Sequence, residues 1–316
     1  MDVWINGKFV SDAEAQVSVF DAGLQHGIGL FETLAARNGG VFRTRQHIER
    51  LTTSAEILHL SDKLHVDPLV AAVRQTLDHS GRSDARIRIT VTGGDLNLLR
   101  STGTGPHDPT IIIVVQPPTE YPDRFFTDGI AVTLAAGRLN PWQVTSGHKT
   151  LDYWNRIAAL QTATSVGAGE ALWLTPEAHV ASGSVSNLFL AKNGTLITPP
   201  ARGEQPRGEE IPPVRPGVTR EAVMEVATRM GIPVECKLPV LDDVLNADEV
   251  FLTNSSWQVL PVTGLGLPTK NDEEPDGPST LGHHPISDGV VGTLTADLRA
   301  ALLELIASEC DGSVTS

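Results

Sequence analysis

The sequence predicts an α/β chain, folded as two domains or as one large one, with its best break near residue 120. Three observations predict it. The chain has 316 residues, a length that suits two compact cores or one large one. Stretches that alternate apolar and polar residues are interleaved with stretches of helical period. Gln116 to Pro122, QPPTEYP, sets prolines where they stop strands and helices alike.

In order along the chain, Val3 to Val10 alternates around Asn6-Gly7, a pair that favours a type I′ hairpin turn. Thr44 to Leu60 predicts a helix with Ile48, Leu51, Ala55 and Leu58 on one face. Asp67-Pro68 predicts the next, Asp67 as N-cap and proline at the first helical position, ending at Gly81. Arg86 to Thr92 alternates strictly and predicts a half-buried strand, turned by Gly93-Gly94, and Ile111 to Val115 supplies another. Past the break come expected strands near 130–135, 171–175, 187–191 and 195–198, the last two joined by Asn193-Gly194. Helices are expected near 150–165, 219–230 and 293–308. Ala201 to Arg215 and Pro268 to Pro285, rich in Pro, Gly and acids, read as solvent-exposed insertions. There is no internal repeat.

Hydrophobic residues make up 40% and charged ones 20%, enough apolar content for an ordinary core and too much for wholesale disorder. Lys and Arg number 24 against 38 Asp and Glu, a net charge of −14, which argues against a nucleic-acid partner. Cys236 and Cys310 form neither a disulfide framework nor a metal-ligand spacing, as expected in a reducing cytoplasm. No signal peptide is read at MDVWING, and no window approaches the roughly 20 apolar residues of a membrane span. The expectation is a soluble cytoplasmic protein with no membrane partner.

Common catalytic patterns are missing. No phosphate-binding Gly-x-x-x-x-Gly-Lys loop occurs, and Gly27-Ile28-Gly29 is followed by Glu32 where a dinucleotide fingerprint needs glycine. Gly183-Ser184-Val185-Ser186 is not a nucleophile elbow. The ten histidines are scattered, and His283-His284 reads as a solvated pair, so no metal is expected. Lysine is the informative residue because there are only six. Lys8, Lys63, Lys192, Lys237 and Lys270 neighbour turns, prolines or insertions, as solvated amines do. Lys149 differs: it follows Ser146-Gly147-His148 and precedes an apolar-rich helix. A lysine at such a junction can point into a cleft, where burial lowers its pKa toward a nucleophilic amine.

Six ordered blocks give that lysine a context. They are Phe20-Asp21-Ala22-Gly23 through Gly29-Leu30-Phe31-Glu32-Thr33-Leu34; His47-Ile48-Glu49-Arg50-Leu51; His148-Lys149-Thr150-Leu151-Asp152-Tyr153; Gly183 to Phe189; Pro216-Gly217-Val218-Thr219-Arg220; and Glu249 to Ser256. Together they resemble the fold-type IV pyridoxal-phosphate enzymes, which include branched-chain aminotransferases, D-amino acid aminotransferases and aminodeoxychorismate lyases. Any one block is weak; the ordered set, spanning about residues 3–265, is specific. The resemblance implies a small α/β N-terminal domain over 1–118, a linker at 119–124 and a larger mixed-sheet domain over 125–316. It also implies pyridoxal 5′-phosphate between the domains and a homodimer whose N-terminal loops complete the partner's pocket.

The resemblance assigns roles as well. Lys149 would carry the cofactor on its amine and shuttle the Cα proton, tasks that need a lowered pKa. Arg50 would clamp the phosphate, though by itself it also reads as a surface partner of Gln46 or Ser54. Val218 and Thr219 would offer N–H groups and a hydroxyl at a helix start, and Thr219 alone could be an N-cap. Thr253, Ser255 and Ser256 would present N–H groups and hydroxyls to phosphate or substrate carboxylate. Tyr153 would lie near the cofactor's phenolic oxygen. Arg88 would meet the substrate carboxylate, unless it is an outward-facing strand arginine.

Two positions depart from the family. Ile28 stands where many relatives carry aspartate between two glycines. Ser182 stands where the family places a glutamate that keeps the pyridine nitrogen protonated; a shift of the loop would instead bring another acid, such as Glu177, to the ring. A hydroxyl supplies no charge, so the ring withdraws electrons less well, which tells against transamination more than against elimination. The leading expectation is an aminotransferase moving an amino group from a branched-chain or similar apolar amino acid to a 2-oxo acid such as 2-oxoglutarate. An aminodeoxychorismate lyase-like elimination, a D-amino acid aminotransferase and a degenerate pyridoxal-phosphate-binding protein stay open beside it.

Overall fold

A computed structural model of the chain describes residues 2–95, 108–205, 211–269 and 280–311. By contact it divides into two compact units. The first comprises Met1–Thr119, His148–Asp152 and Glu304–Ser316, and the second Glu120–Gly147 and Tyr153–Leu303. The chain therefore passes between units three times more than a single cut at 119–124 requires. One of the two returning stretches carries Lys149.

The first unit runs β1 (Asp2–Ile5), β2 (Lys8–Ser11), α1 (Ala22–His26), β3 (Gly29–Arg37), β4 (Gly40–Val41), α2 (Thr44–Ile57), α3 (Val66–Ser80), β5 (Ala85–Thr92) and β6 (Ile111–Gln116). Its six strands form an antiparallel sheet in the order β2-β1-β6-β5-β3-β4. Asn6 and Gly7, both at positive φ (46° and 88°), turn the first hairpin as their sequence predicts. In β5 the alternation sends Ile87, Ile89 and Val91 to a core shared with Ile48, Leu51, Val73 and Leu77, while Arg86, Arg88 and Thr90 take the other face. Helix α3 starts earlier than expected. Its N-cap is His65, so Asp67 and Pro68 lie inside the first turn, where a missing N–H breaks no helical bond. Asp67 instead accepts from Arg45 at 2.6 Å. Strand β3 is not announced by period, because Gly29, Leu30, Phe31 and Glu32 are all buried.

The second unit runs α4 (Arg124–Thr127), β7 (Ile130–Arg138), α5 (Trp154–Ser165), β8 (Glu170–Leu174), β9 (Val180–Gly183), β10 (Asn187–Lys192), β11 (Thr195–Thr198), α6 (Val218–Arg229), β12 (Val234–Cys236), α7 (Leu241–Leu245), β13 (Glu249–Asn254), β14 (Gln258–Thr269), β15 (Thr280–Pro285) and α8 (Thr293–Cys310), whose last turns belong to the first unit. The sheet is mixed, as the resemblance implied: β7 lies parallel to both β14 and β8, and most other pairs are antiparallel. It closes on itself where Ser182 of β9 pairs with Asn187 of β10.

Both expected insertions are corrected in part. In 201–215, Ala201 and Val214 are buried in a small core, so this stretch is anchored at both ends; 206–210 lie outside the described residues. In 268–285, the flanks belong to the paired strands β14 and β15, and 270–279 lie outside the described residues.

Candidate functional site

The first unit presents the lysine. The expected helix at 150–165 begins only at Trp154, and Thr150 in the stretch before it bridges antiparallel to Leu30 at the start of β3. Phe31 N–H donates to the Lys149 carbonyl and Leu151 N–H to the Gly29 carbonyl, each at 2.9 Å. Gly29 permits this approach: a Cβ there would stand 2.6 Å from both Leu151 Cδ1 and the Val91 carbonyl oxygen. The clamp sets Lys149 Nζ 4.2 Å from the centroid of the Phe31 ring. Arg88 lies over the same ring at 3.9 Å, with Nε donating to Thr90 Oγ1. It is therefore stacked against an aromatic and is not simply turned to solvent. Gly29→Ala is expected to cost about 1–3 kcal/mol of stability through this overpacking. A urea midpoint equal to that of the unaltered protein would show that the segment is not clamped there.

On the core side of β3, Glu32 is 1% exposed. Its Oε1 accepts from Arg50 Nε at 2.8 Å and its Oε2 from Arg50 Nη2 at 2.6 Å. His47 Nδ1 lies 2.9 Å from Oε2. An ionised carboxylate only accepts, so Nδ1 carries a proton. Arg50 is thus held by an acid 18 residues away, not by a neighbour on its own helix alone. Burial alone would raise the Glu32 carboxyl, but the Arg50 guanidinium, with His47 beside it, holds it well below the usual carboxylate range. Burial pushes the His47 imidazole below its ordinary value; Glu32 opposes this, while Arg50 and Lys149 add to it.

Both groups therefore bind fewer protons folded than unfolded, and stability falls as pH falls. The contribution of His47 fades first, below about pH 6.5, and that of Glu32 only below about 4.5. The urea midpoint is expected to drop between about pH 7 and 5.5, and His47→Gln to flatten that drop. An unchanged slope in the variant would assign the effect to other groups.

The second unit gathers the remaining candidates around the closure of its sheet. Ser182 is 4% exposed, opposite Trp173 and Asn187. Nearby, Glu170 accepts at Oε1 from the N–H groups of Ala171 and Ser184, and at Oε2 from Val185 N–H and the Ser186 hydroxyl. Burial pushes this carboxyl up, and these four donors pull it back. Glu177, the alternative acid, is exposed on the β8–β9 turn. The Tyr153 hydroxyl donates to the Ser184 carbonyl at 3.0 Å, and Arg156 Nη1 donates to the carbonyls of Gly183 and Ser184.

Asn187 donates to the Arg215 carbonyl and packs on Gly217, where a Cβ would come within 2.1 Å of Asn187 Oδ1. Gly217 is the N-cap of α6, so Thr219 sits in the first turn and is not the cap. No side chain caps this helix, and Val218 and Thr219 belong to its first turn, whose N–H groups have no acceptor within the helix. Thr253 pairs with Asn187 across the strands, and its hydroxyl is buried without a hydrogen-bond partner. Ser255 and Ser256 form the next turn. Asn254 Oδ1 accepts the Ser256 N–H at 2.9 Å, so that donor is taken, and the hydroxyl is what Ser256 can offer a ligand.

In the first unit a lysine amine against an aromatic ring suits an aldehyde, and in the second an uncapped helix start and an orphaned buried hydroxyl each suit a phosphate. Those features fit pyridoxal phosphate. Ser182, which the sequence sets where the family pattern has an acid, is buried on the strand that closes the sheet. Sequence reasoning missed Glu32, His47, Glu170 and Asn187 as site-forming residues. Two of these left a signal: Glu32 and Glu170 are lone acids inside otherwise apolar runs, LFETL and GEALWL.

Comparison with known proteins gives the family. Residues 29–265 match the family "Amino-transferase class IV". A Methanocaldococcus jannaschii protein provisionally named a branched-chain-amino-acid aminotransferase is 36% identical over 266 residues, covering 83% of this chain and 87% of its own. A D-alanine aminotransferase of Bacillus licheniformis is 27% identical, covering 98% of each chain. The crystal structure of the Escherichia coli branched-chain amino acid aminotransferase superposes with a TM-score of 0.82 at 25% identity, covering 99% of this chain and 97% of its own.

Proposed function

The chain belongs to the class IV aminotransferases and so is a pyridoxal-phosphate enzyme, and we propose that it moves the amino group of a branched-chain or similarly apolar amino acid to a 2-oxo acid such as 2-oxoglutarate. The observation that carries the proposal is the Lys149 amine, held against Phe31 by a backbone clamp that needs Gly29. The substrate class follows the names of the relatives.

Bound pyridoxal phosphate supplies an aldehyde for amine exchange and an electron-withdrawing ring that acidifies the substrate Cα–H. The chain's own residues do the rest. Lys149 would hold the cofactor through Nζ and would move the proton at the substrate Cα. Arg50 would bind the phosphate; Val218 and Thr219 at the α6 start and the Thr253 and Ser255 hydroxyls would be its further ligands. Arg88, Ser255 and Ser256 would receive the substrate carboxylate, and Tyr153 would meet the cofactor's phenolic oxygen. Ser182 favours one second reading, elimination of the aminodeoxychorismate lyase type, because it offers the ring nitrogen no charge. Absorbance of the purified protein, followed while L- and D-amino acids are added one at a time, tests the proposal. A cofactor band that shifts with L-leucine, L-valine or L-isoleucine and reverses with 2-oxoglutarate supports it. A shift with D-alanine alone, or pyruvate released from aminodeoxychorismate, would replace it.

The enzyme is further proposed to be a cytoplasmic homodimer. Support for the dimer comes from large apolar side chains left exposed: Val19, Phe20 and Leu24 in the first unit, Trp142, Val144 and Trp154 in the second. Support for the compartment comes from two cysteines that form no disulfide, while no helix among the described residues is long and apolar enough to cross a membrane. Light scattering at micromolar concentration should give twice the chain mass; a monomer would refute the assembly.

A further inference from the structure

We propose that Glu32, backed by His47, is the positioning residue that holds Arg50 ready for the cofactor's phosphate. The proposal rests on Arg50 being a phosphate ligand and adds what makes it one.

Glu32 stands on β3 between Leu30 and Leu34, both 1% exposed and both part of the core under α2. A carboxylate at such a position is a poor choice for stability alone. A desolvated ion pair is commonly matched or bettered by apolar residues of the same volume. What a carboxylate does there, and a leucine could not, is fix a guanidinium. It receives three donors: Arg50 Nε at 2.8 Å, Arg50 Nη2 at 2.6 Å and His47 Nδ1 at 2.9 Å. The two arginine bonds take one edge of the fork, which sets the plane of the whole group. The histidine bond stops the carboxylate from turning about its own axis.

Burial is graded along these three side chains. Glu32 and His47 are 1% and 2% exposed, while Arg50 is 14% exposed. The anchor is thus inside the core and the arginine head at the rim. A long arginine side chain ordinarily loses rotamer freedom when it meets an anion; here Glu32 has imposed that order beforehand. The neutral state of His47 matters to the arrangement. A charged imidazole would set another positive charge beside the guanidinium, and burial, with Arg50 and Lys149 as nearby cations, disfavours it.

The test uses the cofactor-free full chain, titrated by absorbance with pyridoxal phosphate and with pyridoxal, which lacks the phosphate. Glu32→Asp keeps the charge, and therefore the fold, but withdraws the carboxylate by one methylene. It is expected to weaken pyridoxal phosphate binding about tenfold while leaving pyridoxal binding within about twofold, the effect of removing a single charge-assisted hydrogen bond. Glu32→Gln should do the same more strongly, and the ³¹P resonance of the bound cofactor should broaden in both. Pyridoxal phosphate affinity unchanged in Glu32→Asp, or both ligands weakened in parallel, would overturn the proposal. Arg50→Ala separates the premise: if it leaves pyridoxal phosphate affinity unchanged, Arg50 is not a phosphate ligand and the reading beneath the proposal fails. If Arg50→Ala weakens binding and Glu32→Asp does not, only the positioning role fails.

Discussion

Lys149→Ala is expected to yield a folded protein that binds pyridoxal phosphate reversibly, cannot be joined to it by borohydride, and turns over amino acids roughly 10²–10⁴-fold more slowly, the usual size of a general acid–base contribution. The fold should survive because the segment is held through its backbone. Phe31 N–H meets the Lys149 carbonyl and Leu151 N–H meets the Gly29 carbonyl, and neither bond involves the lysine side chain. What the substitution removes is the amine over the Phe31 ring. In the unaltered protein, reduction and peptide mapping should place the pyridoxyl group on Lys149. A pyridoxyl group on any of the other five lysines, or full turnover by Lys149→Ala, would remove Lys149 from the mechanism.

Ser182→Glu should produce the next largest effect, of opposite sign with and without cofactor. Ser182 is 4% exposed on the strand that closes the sheet. A carboxylate introduced there without a partner costs on the order of a few kcal/mol, or takes up a proton to avoid that cost. Glu170 nearby already accepts four hydrogen bonds from its neighbours and does not relieve it. The variant should therefore melt below the unaltered protein when cofactor-free. If position 182 faces the pyridine nitrogen, pyridoxal phosphate brings the partner: a protonated ring pairs with the new carboxylate. The cofactor should then raise the melting temperature of the variant by more than it raises that of the parent, and transamination should increase relative to elimination. If the cofactor fails to narrow the gap, position 182 does not meet the ring, and the case for a weakened electron sink, with most of the support for a lyase, goes with it.

Much of the scaffold was legible along the chain because its signals are local. Asn6-Gly7 turns the first hairpin, Gly81 ends α3 in a left-handed conformation, and the alternation of Arg86 to Thr92 gives the faces of β5. The ordered blocks were legible for a related reason: each is a short run whose spacing survives without knowledge of the rest. Helix starts were less legible. Asp67 and Thr219 both look like caps, yet His65 and Gly217 hold those places. A cap depends on where the preceding chain arrives, which neighbouring residues do not dictate.

The order of residues was enough to establish an α/β chain of the class IV aminotransferase pattern, with Lys149 its singular lysine and Ser182 its departure. How those residues are held came only from the folded chain. It bonded 149–151 to β3 and started the helix expected near 150–165 only at Trp154, joined Glu32 to Arg50 across 18 residues, and turned Glu170 onto the N–H groups of 184 and 185. Each of these is a buried polar contact between segments distant in sequence. Burial makes such a contact obligatory, since an unpaired charge or amide in the core costs several times what the same group costs at the surface. Which partner satisfies it depends on strand register and sheet closure, and those are properties of the packed chain.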